Sequence, residues 1–121
     1  MFYKSRPYGK TKIISIEELK QLFQDERLFY VKVALLFGSR VIGNSNLKSD
    51  YDFALLMEDL PNESWGMVAK AWGDVGDVLD LPEYDYDIID LSHVNSALIS
   101  SIKEKYVVLK GDENEFQRLF E

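Results

Sequence analysis

Two short apolar runs constrain the fold of this chain more than any other feature. The first, VKVALLF, covers residues 31 to 37 and ends at a glycine, and the second, YDFALLM, covers residues 51 to 57. Runs of this length that are dense in β-branched, aliphatic and aromatic residues are typical of strands buried on both faces. Such strands must be covered, so the sequence predicts a sheet with helices packed on it.

Helical patterns lie on either side of the two runs. Residues 15 to 30 begin with Ser15 and Glu18 at capping-box spacing, and the apolar residues Ile16, Leu19, Leu22 and Phe23 fall on one helical stripe. Three later stretches also carry apolar residues at helical spacing. They are residues 64–81, 92–105 and 113–121.

Residues 84 to 91 and 106 to 111 complete the pattern as a third and a fourth strand. The predicted order is α-β-β-α-β-α-β-α, which indicates an α/β (α+β) protein with a mixed sheet of about four strands. A chain of 121 residues fits one domain, so we expect residues 1–121 to form a single domain with residues 1–12 as a loose arm.

Composition excludes several classes of protein. With 21 acidic and 14 basic side chains, the net charge of −7 opposes binding to a phosphate backbone, so no direct nucleic-acid contact is expected. There are no cysteines, which excludes disulfides and thiolate metal sites. No apolar run reaches the roughly 18 residues of a membrane span. We therefore expect a cytoplasmic protein with no membrane contact.

The candidate chemistry lies where the second apolar run begins. Asp50 and Asp52 are two positions apart, so on a strand their carboxylates point to the same face. Paired carboxylates at this separation suit Mg²⁺, which takes one or two protein carboxylates together with substrate phosphates. Gly38 and Ser39 end the first run and offer backbone N–H groups and a hydroxyl to a phosphate. The sequence thus indicates nucleoside triphosphate chemistry.

A third carboxylate is expected from the third strand. Asp85 and Asp87 share one face of that strand, whereas Asp90 lies on the other, so spacing leaves Asp85 and Asp87 as alternatives. Either one would complete a site for two metal ions and accept the proton of an attacking hydroxyl.

These motifs resemble the minimal nucleotidyltransferases of the DNA polymerase beta superfamily. The resemblance lies in Gly38-Ser39, in Asp50-x-Asp52 and in the stretch DIIDL at residues 87–91. It implies that Gly38 and Ser39 hold the triphosphate, that Asp50, Asp52 and Asp87 are the catalytic and magnesium-binding acids, and that Asp87 is preferred over Asp85. It also implies that Arg40 and Ser49 assist in binding the nucleotide.

Members of this size, without a second domain, commonly act as antitoxins. The resemblance therefore implies AMP transfer from ATP, with two Mg²⁺ ions, to a tyrosine of a HEPN-type ribonuclease toxin. Two alternatives remain open from the sequence: an antitoxin that masks the toxin by contact alone, and nucleotidyl transfer to a small molecule. The nucleotide, the number of transfers and the choice between a homodimer and a hetero-oligomer with the toxin are also open.

Several other residues receive structural interpretations. Asp90 is expected to cap a helix, and the single histidine, His93, is assigned no catalytic role. Trp65 and Trp72 are expected to be core or interface anchors. The remaining expectations place Tyr84 and Tyr86 on the outer sheet face, and Lys103, Lys105 and Lys110 on a solvated face.

Overall fold

One mixed sheet of four strands organises the protein. The computed structural model describes residues 12–42 and 50–119. The strands are β1 (Val31–Phe37), β2 (Tyr51–Met57), β3 (Tyr86–Asp90) and β4 (Tyr106–Lys110), and they lie in the order β3-β2-β1-β4. The two apolar runs, residues 31 to 37 and 51 to 57, are therefore the two central strands.

The strand directions follow from the connections. β1 pairs antiparallel with both β2 and β4, whereas β2 pairs parallel with β3. A parallel pair needs a crossover, which the helix between β2 and β3 provides. The starts of β2 and β3 and the end of β1 consequently lie at the same end of the sheet.

Within residues 12–42 and 50–119, five α-helices accompany the sheet. They are α1 (Ile16–Leu22), α2 (Ser39–Ile42), α3 (Met67–Leu79), α4 (Ser96–Glu104) and α5 (Glu113–Arg118), with short 3-10 turns at Glu26–Leu28, Glu83–Asp85 and Leu91–His93. As the sequence predicts, the Ser15 hydroxyl caps α1 by accepting from the Glu18 N–H at 3.1 Å.

The two faces of the sheet bury separate apolar clusters. On one face, side chains of β1, β2 and β3 pack against α1 and α3; examples are Phe53, Phe23 and Val75. On the other face, the cluster contains Ile102 of α4 and Phe116 of α5. Covering both faces removes the apolar runs from water and explains why β1 carries almost no polar residue.

The predicted first helix is longer than the observed one. α1 ends at Leu22, and a 3-10 turn follows in which Asp25 accepts from the Arg27 backbone N–H and side chain at about 3 Å. Asp25 competes for local backbone donors and so interrupts the helix. Of the residues on the predicted helical stripe, Leu19 and Phe23 are buried, whereas Ile16 is 37% exposed.

The aromatic assignments are corrected in part. Trp65 precedes α3 and is 89% exposed, so it is not a core residue, while Trp72 is half-buried on α3. Tyr86 is buried on the α3 face and donates to the Trp72 carbonyl at 2.5 Å, and therefore does not lie on an outer surface. Tyr84 lies before β3, in a 3-10 turn, and is half-buried.

Two other local expectations have opposite outcomes. Asp90 is confirmed as a cap, because its carboxylate accepts from the Ser92 N–H at 2.9 Å. Lys110 is not simply solvated: it is half-buried and donates to the Leu28 carbonyl at 2.8 Å. Apart from Lys12, the predicted N-terminal arm lies outside the described residues.

The predicted fold class, a mixed four-stranded sheet with helices packed on it, is confirmed. Within the described residues, no helix is both long enough and apolar enough to cross a lipid bilayer.

Candidate active site

Two of the predicted acids meet across neighbouring strands. In the parallel pairing of β2 with β3, Asp52 lies directly beside Asp87. Residues in register on paired strands point to the same face, and Asp50, two positions before Asp52, precedes the first residue of β2. The fold thus brings Asp52 and Asp87 to one sheet face, and it places Asp50 directly before β2 at the same end of the sheet.

The pKa of Asp52 is raised by its surroundings at this end of the sheet. Burial, and to a lesser extent the negative charges of Asp87 and Asp50, together raise the pKa of its carboxyl to about 6. Both effects disfavour the charged form, since burial removes water and like charges repel. Asp52 therefore lies at the centre of the acidic group.

Gly38 makes room for the Asp52 carboxylate. A side chain at position 38 would collide with Asp52 Oδ2, and its Cβ would lie 3.2 Å from the Asp52 Cγ. The backbone of Gly38 also has φ of +80°, in the left-handed region that other residues rarely adopt. Two independent constraints therefore require glycine between β1 and the acids.

The chain after Gly38 forms a helix that the sequence did not predict. Ser39 is the first residue of α2, and the Val41 N–H donates to the Gly38 carbonyl at 3.0 Å. The sequence indicated only a phosphate-binding turn here, because four helical residues are too few to show a periodicity. The side chain of Ser39 and all of Ser49 lie outside what the structure describes, so their contacts with a nucleotide stay predictions.

Arg40 lies against the ring of Tyr51, the residue between Asp50 and Asp52. Its guanidinium carbon is 4.5 Å from the centre of the Tyr51 ring, a cation–π geometry. Tyr51 is buried and its hydroxyl accepts from the Ile14 N–H and donates to the Lys12 carbonyl, both at 2.8 Å. Tyr51 thus fixes the start of β2 from the face opposite to Asp52.

The structure places Asp85 and Asp87 in different surroundings. Asp85 lies in the 3-10 turn before β3 and is only 1% exposed, whereas Asp87 lies on β3, is exposed and is in register with Asp52. The sequence placed both acids on one face of a strand, but β3 begins at Tyr86, so strand alternation does not reach Asp85.

The donor set suits a hard divalent cation. Within the described residues, no three Asp, Glu or His side chains are gathered closely enough to coordinate an ion as they stand. Burial, and then the charges of Asp87 and Asp50, raise the pKa of Asp52, and a bound cation would offset these effects. Oxygen ligands beside a glycine that leaves room for one of them fit Mg²⁺, which needs few protein ligands.

The same sheet face continues from the acids into an aromatic wall. Phe37 of β1 is in register with Asp52 on one side and with Tyr106 of β4 on the other. Tyr106 packs edge-to-face on Phe116, with ring centres 4.9 Å apart, and its hydroxyl donates to Glu113 at 2.5 Å. This wall could not be predicted, because strand register is not visible in the sequence.

A comparison with protein families identifies the arrangement. The family model described as "Polymerase beta, Nucleotidyltransferase" matches residues 17–115 of this chain, which include both central strands and all three acids. The chain belongs to the polymerase beta nucleotidyltransferase family. This nucleotidyltransferase assignment confirms the resemblance that the sequence motifs carry.

A curated relative supports the same assignment. "Protein adenylyltransferase MntA" from Aphanizomenon flos-aquae (strain 2012/KM1/D3) is 30% identical, over 88% of this chain and 79% of the relative. The chain is thus a nucleotidyltransferase that is similar to a protein adenylyltransferase.

Solved structures share the nucleotidyltransferase fold. One, described as a toxin–antitoxin with AMP-PNP, superposes with a TM-score of 0.63 at 21% identity, covering 88% of this chain and 81% of that one. Another, a tri-AMPylated Shewanella oneidensis HEPN toxin in complex with an MNT antitoxin, gives 0.55 at 21% identity, covering 86% and 76%. At such identities the likeness supports the fold alone.

Proposed function

We propose that this protein is a Mg²⁺-dependent nucleotidyltransferase antitoxin that transfers AMP from ATP to a tyrosine hydroxyl of a HEPN-type ribonuclease toxin. The observation that carries the proposal is the register of Asp52 with Asp87 on one sheet face, beside Asp50 and against Gly38. Such a group of carboxylates suits the phosphates of a nucleotide only together with a cation. Because ATP is the proposed substrate, the reaction belongs in the cytoplasm.

In the proposed transfer, Asp87 accepts the proton of the attacking hydroxyl. The acceptor hydroxyl oxygen attacks the α-phosphorus of ATP, a new O–P bond forms, and the bond from that phosphorus to the β-bridging oxygen breaks. Pyrophosphate leaves, and the hydroxyl proton passes to the Asp87 carboxylate and then to water. Asp87 suits this role because it is exposed on its strand, whereas Asp52 is half-buried.

Asp50 and Asp52, with Asp87 shared, are the residues that would hold Mg²⁺. When bound, the metal supplies positive charge that neutralises the phosphates and the pyrophosphate as it departs. Gly38, Ser39, Arg40 and Ser49 are the proposed nucleotide-binding residues. The chain turns at Gly38 directly beside Asp52, which puts the start of α2 next to the acids.

The proposed acceptor rests on what the relatives are called. The curated relative is named a protein adenylyltransferase, and one structural neighbour holds a tri-AMPylated HEPN toxin with an MNT antitoxin. An acidic chain with a net charge of −7 also complements a basic RNA-cleaving partner. We therefore propose a complex with a toxin of this class.

A labelling assay tests the proposal. Purified protein, Mg²⁺, α-labelled ATP and the toxin encoded beside it should yield a toxin with AMP on a tyrosine, located by mass spectrometry. Asp52→Asn should abolish the label, while Asp59→Asn, in an exposed loop after β2, should retain it. No labelled toxin with any of the four nucleoside triphosphates would contradict the proposal.

Masking by contact is the second candidate, because Phe29 is 63% and Trp65 is 89% exposed, as partner-binding anchors would be. The two candidates differ in what the acids do in cells. If masking suffices, the Asp50→Asn/Asp52→Asn double variant still neutralises the toxin at normal protein levels. If transfer is required, neutralisation is lost although the toxin is still bound.

A further inference from the structure

We propose that the acceptor tyrosine is presented by an extended segment that pairs with the outer edge of β3. This inference rests on the proposed transfer to a protein and states how that protein enters the site. Its starting point is the strand order: β3 pairs with β2 on one side, and no strand within the described residues pairs with its other side.

The edge of β3 is the nearest one to the acids. Neighbouring strands lie about 4.8 Å apart, so a segment added beside β3 lies one spacing from Asp87 and two from Asp52. The other edge, β4, is separated from β2 by β1, which puts a segment added there about 14 Å from Asp52. Only the β3 edge brings an acceptor within reach of both acids.

Pairing there would also aim the acceptor correctly. A residue directly opposite Asp87 has its Cβ about 4.5 to 5.5 Å from the Asp87 Cβ and points to the same sheet face. Its hydroxyl would therefore project over the row formed by Asp87 and Asp52, and Asp87 would face it as proton acceptor. Residues on either side of the acceptor would point to the opposite face.

Trp72 lies on that opposite face beside β3. Its indole N–H donates to the Glu83 carbonyl at 3.3 Å, and its ring centre lies 5.8 Å from that of Tyr86, the first residue of β3. Asp74 and Lys70 lie on the other flank of α3, near Tyr30. The half-buried Trp72 is thus placed to contact the side chains that flank the acceptor.

The charge of the edge indicates the kind of segment. Glu83 and Asp87 are exposed at the start of β3, and Asp90 ends it with a carboxylate that contacts His93 Nδ1 at 3.0 Å. A segment with lysine or arginine near the tyrosine complements these acids, whereas an acidic one is repelled.

Backbone methylation of the acceptor tests the pairing directly. The probe is the nine-residue peptide centred on the tyrosine that the labelling assay identifies. Strand residues direct their N–H groups alternately to the two sides, so N-methylation of the tyrosine and of the residues directly before and after it gives two matched sets. One set is the methylated tyrosine and the other is its two methylated neighbours. The set whose N–H groups face β3 should lower kcat/KM at least tenfold, and the other set should lower it less than twofold.

Equal effects of the two sets would overturn the inference, as would an unlabelled parent peptide when the whole toxin is labelled. Both outcomes leave the proposed function intact, because that fails only when the toxin itself is never labelled.

Trp72 and the exposed residue Ile13 supply a variant and its control. Trp72→Ala should raise KM for the peptide about tenfold with kcat changed less than twofold, and Trp72→Phe should restore most of the affinity. Ile13→Ala, at an exposed position before α1, should leave KM unchanged. An unchanged KM in a folded Trp72→Ala variant, or an equal rise in Ile13→Ala, would contradict the contact.

Discussion

The Asp52 carboxylate has its position because position 38 has no side chain. Gly38 combines a left-handed backbone with close contact to the carboxylate, so both requirements fall on one residue. The pairing of a glycine with an acid could be predicted from the sequence as a motif. The contact between them could not, because it depends on how β1 and β2 are aligned.

Replacing Gly38 with alanine should therefore damage the site more than the fold. We expect Gly38→Ala to displace Asp52, to lower the transfer rate at least a hundredfold and to destabilise the protein by about 1–2 kcal/mol. The matched control is Gly73→Ala in α3, where a Cβ meets nothing within 4 Å. It should stabilise by about 0.5–1 kcal/mol, as measured by urea unfolding. Full activity in Gly38→Ala would contradict the contact.

The raised pKa of Asp52 predicts a pH-dependent cost to stability. Its pKa is about 6 in the folded protein and 3.8 without its surroundings, so the folded state holds the proton more tightly. The stabilisation that comes from this tighter proton binding at Asp52 is fully present below about pH 4 and is lost as the pH rises through 6. Without divalent cations, Asp52→Asn should stabilise by about 1 kcal/mol at pH 7.5 and by nearly nothing at pH 4.

Thermal unfolding in EDTA at the two pH values measures this difference. Mg²⁺ should then raise the Tm of the unaltered protein more than that of the variant. The bound cation would offset the buried charge of Asp52 and its repulsion by Asp87 and Asp50. The control Asp59→Asn should show no such dependence. A variant less stable than the unaltered protein at pH 7.5 would refute the repulsion among the acids.

At the scale of elements, strands were predicted better than helix ends. The apolar runs define β1 and β2 completely, since each continues until a glycine or a polar loop stops it. Helix α1 stops early where Asp25 binds backbone and side chain of Arg27, and α2 is too short to leave a pattern. Asp85 and Asp87 could not be separated because the start of β3 depends on the turn before it.

Tyr51 connects β2 to the segment before α1 through hydrogen bonds, and it should stabilise the start of β2 from the face opposite to Asp52. Its hydroxyl bonds to Ile14 and Lys12, and the Lys12 ammonium donates to the Leu79 carbonyl at 3.1 Å. Tyr51→Phe leaves the buried Ile14 N–H without its acceptor, which should destabilise by about 1–3 kcal/mol. Hydrogen exchange of the Ile14 amide should accelerate accordingly.

The control for this variant is Tyr106→Phe, whose hydroxyl bonds to Glu113 and Gln117 at the surface in contacts of small net worth. Unchanged protection of the Ile14 amide in Tyr51→Phe would show that the segment is held by other contacts.

For the whole molecule, the mixed sheet was predictable but its order was not. The alternation of strands and helices indicates the class, whereas β1 lies between β2 and β4 only because of long-range pairing. The assignment of residues 1–121 to one domain stays a prediction. So do the roles of the individual site residues, which the assays above address.

The net charge of −7 predicts electrostatic steering toward a basic partner. The association rate constant with the toxin should fall at least tenfold between about 20 and 500 mM NaCl, since salt screens long-range attraction. Stopped-flow fluorescence measures the rate, and circular dichroism at each salt concentration confirms that folding is unchanged. A rate independent of salt would exclude steering.

The parallel pairing of β2 with β3 separates the acids along the chain by the whole of α3. A nascent chain that has left the ribosome only as far as Asp80 already exposes Asp50 and Asp52, whereas Asp87 is still inside the ribosome. With the roles proposed here, such a fragment has no proton acceptor and performs no transfer. Activity thus begins only after the crossover is complete, which protects unfinished copies from consuming ATP.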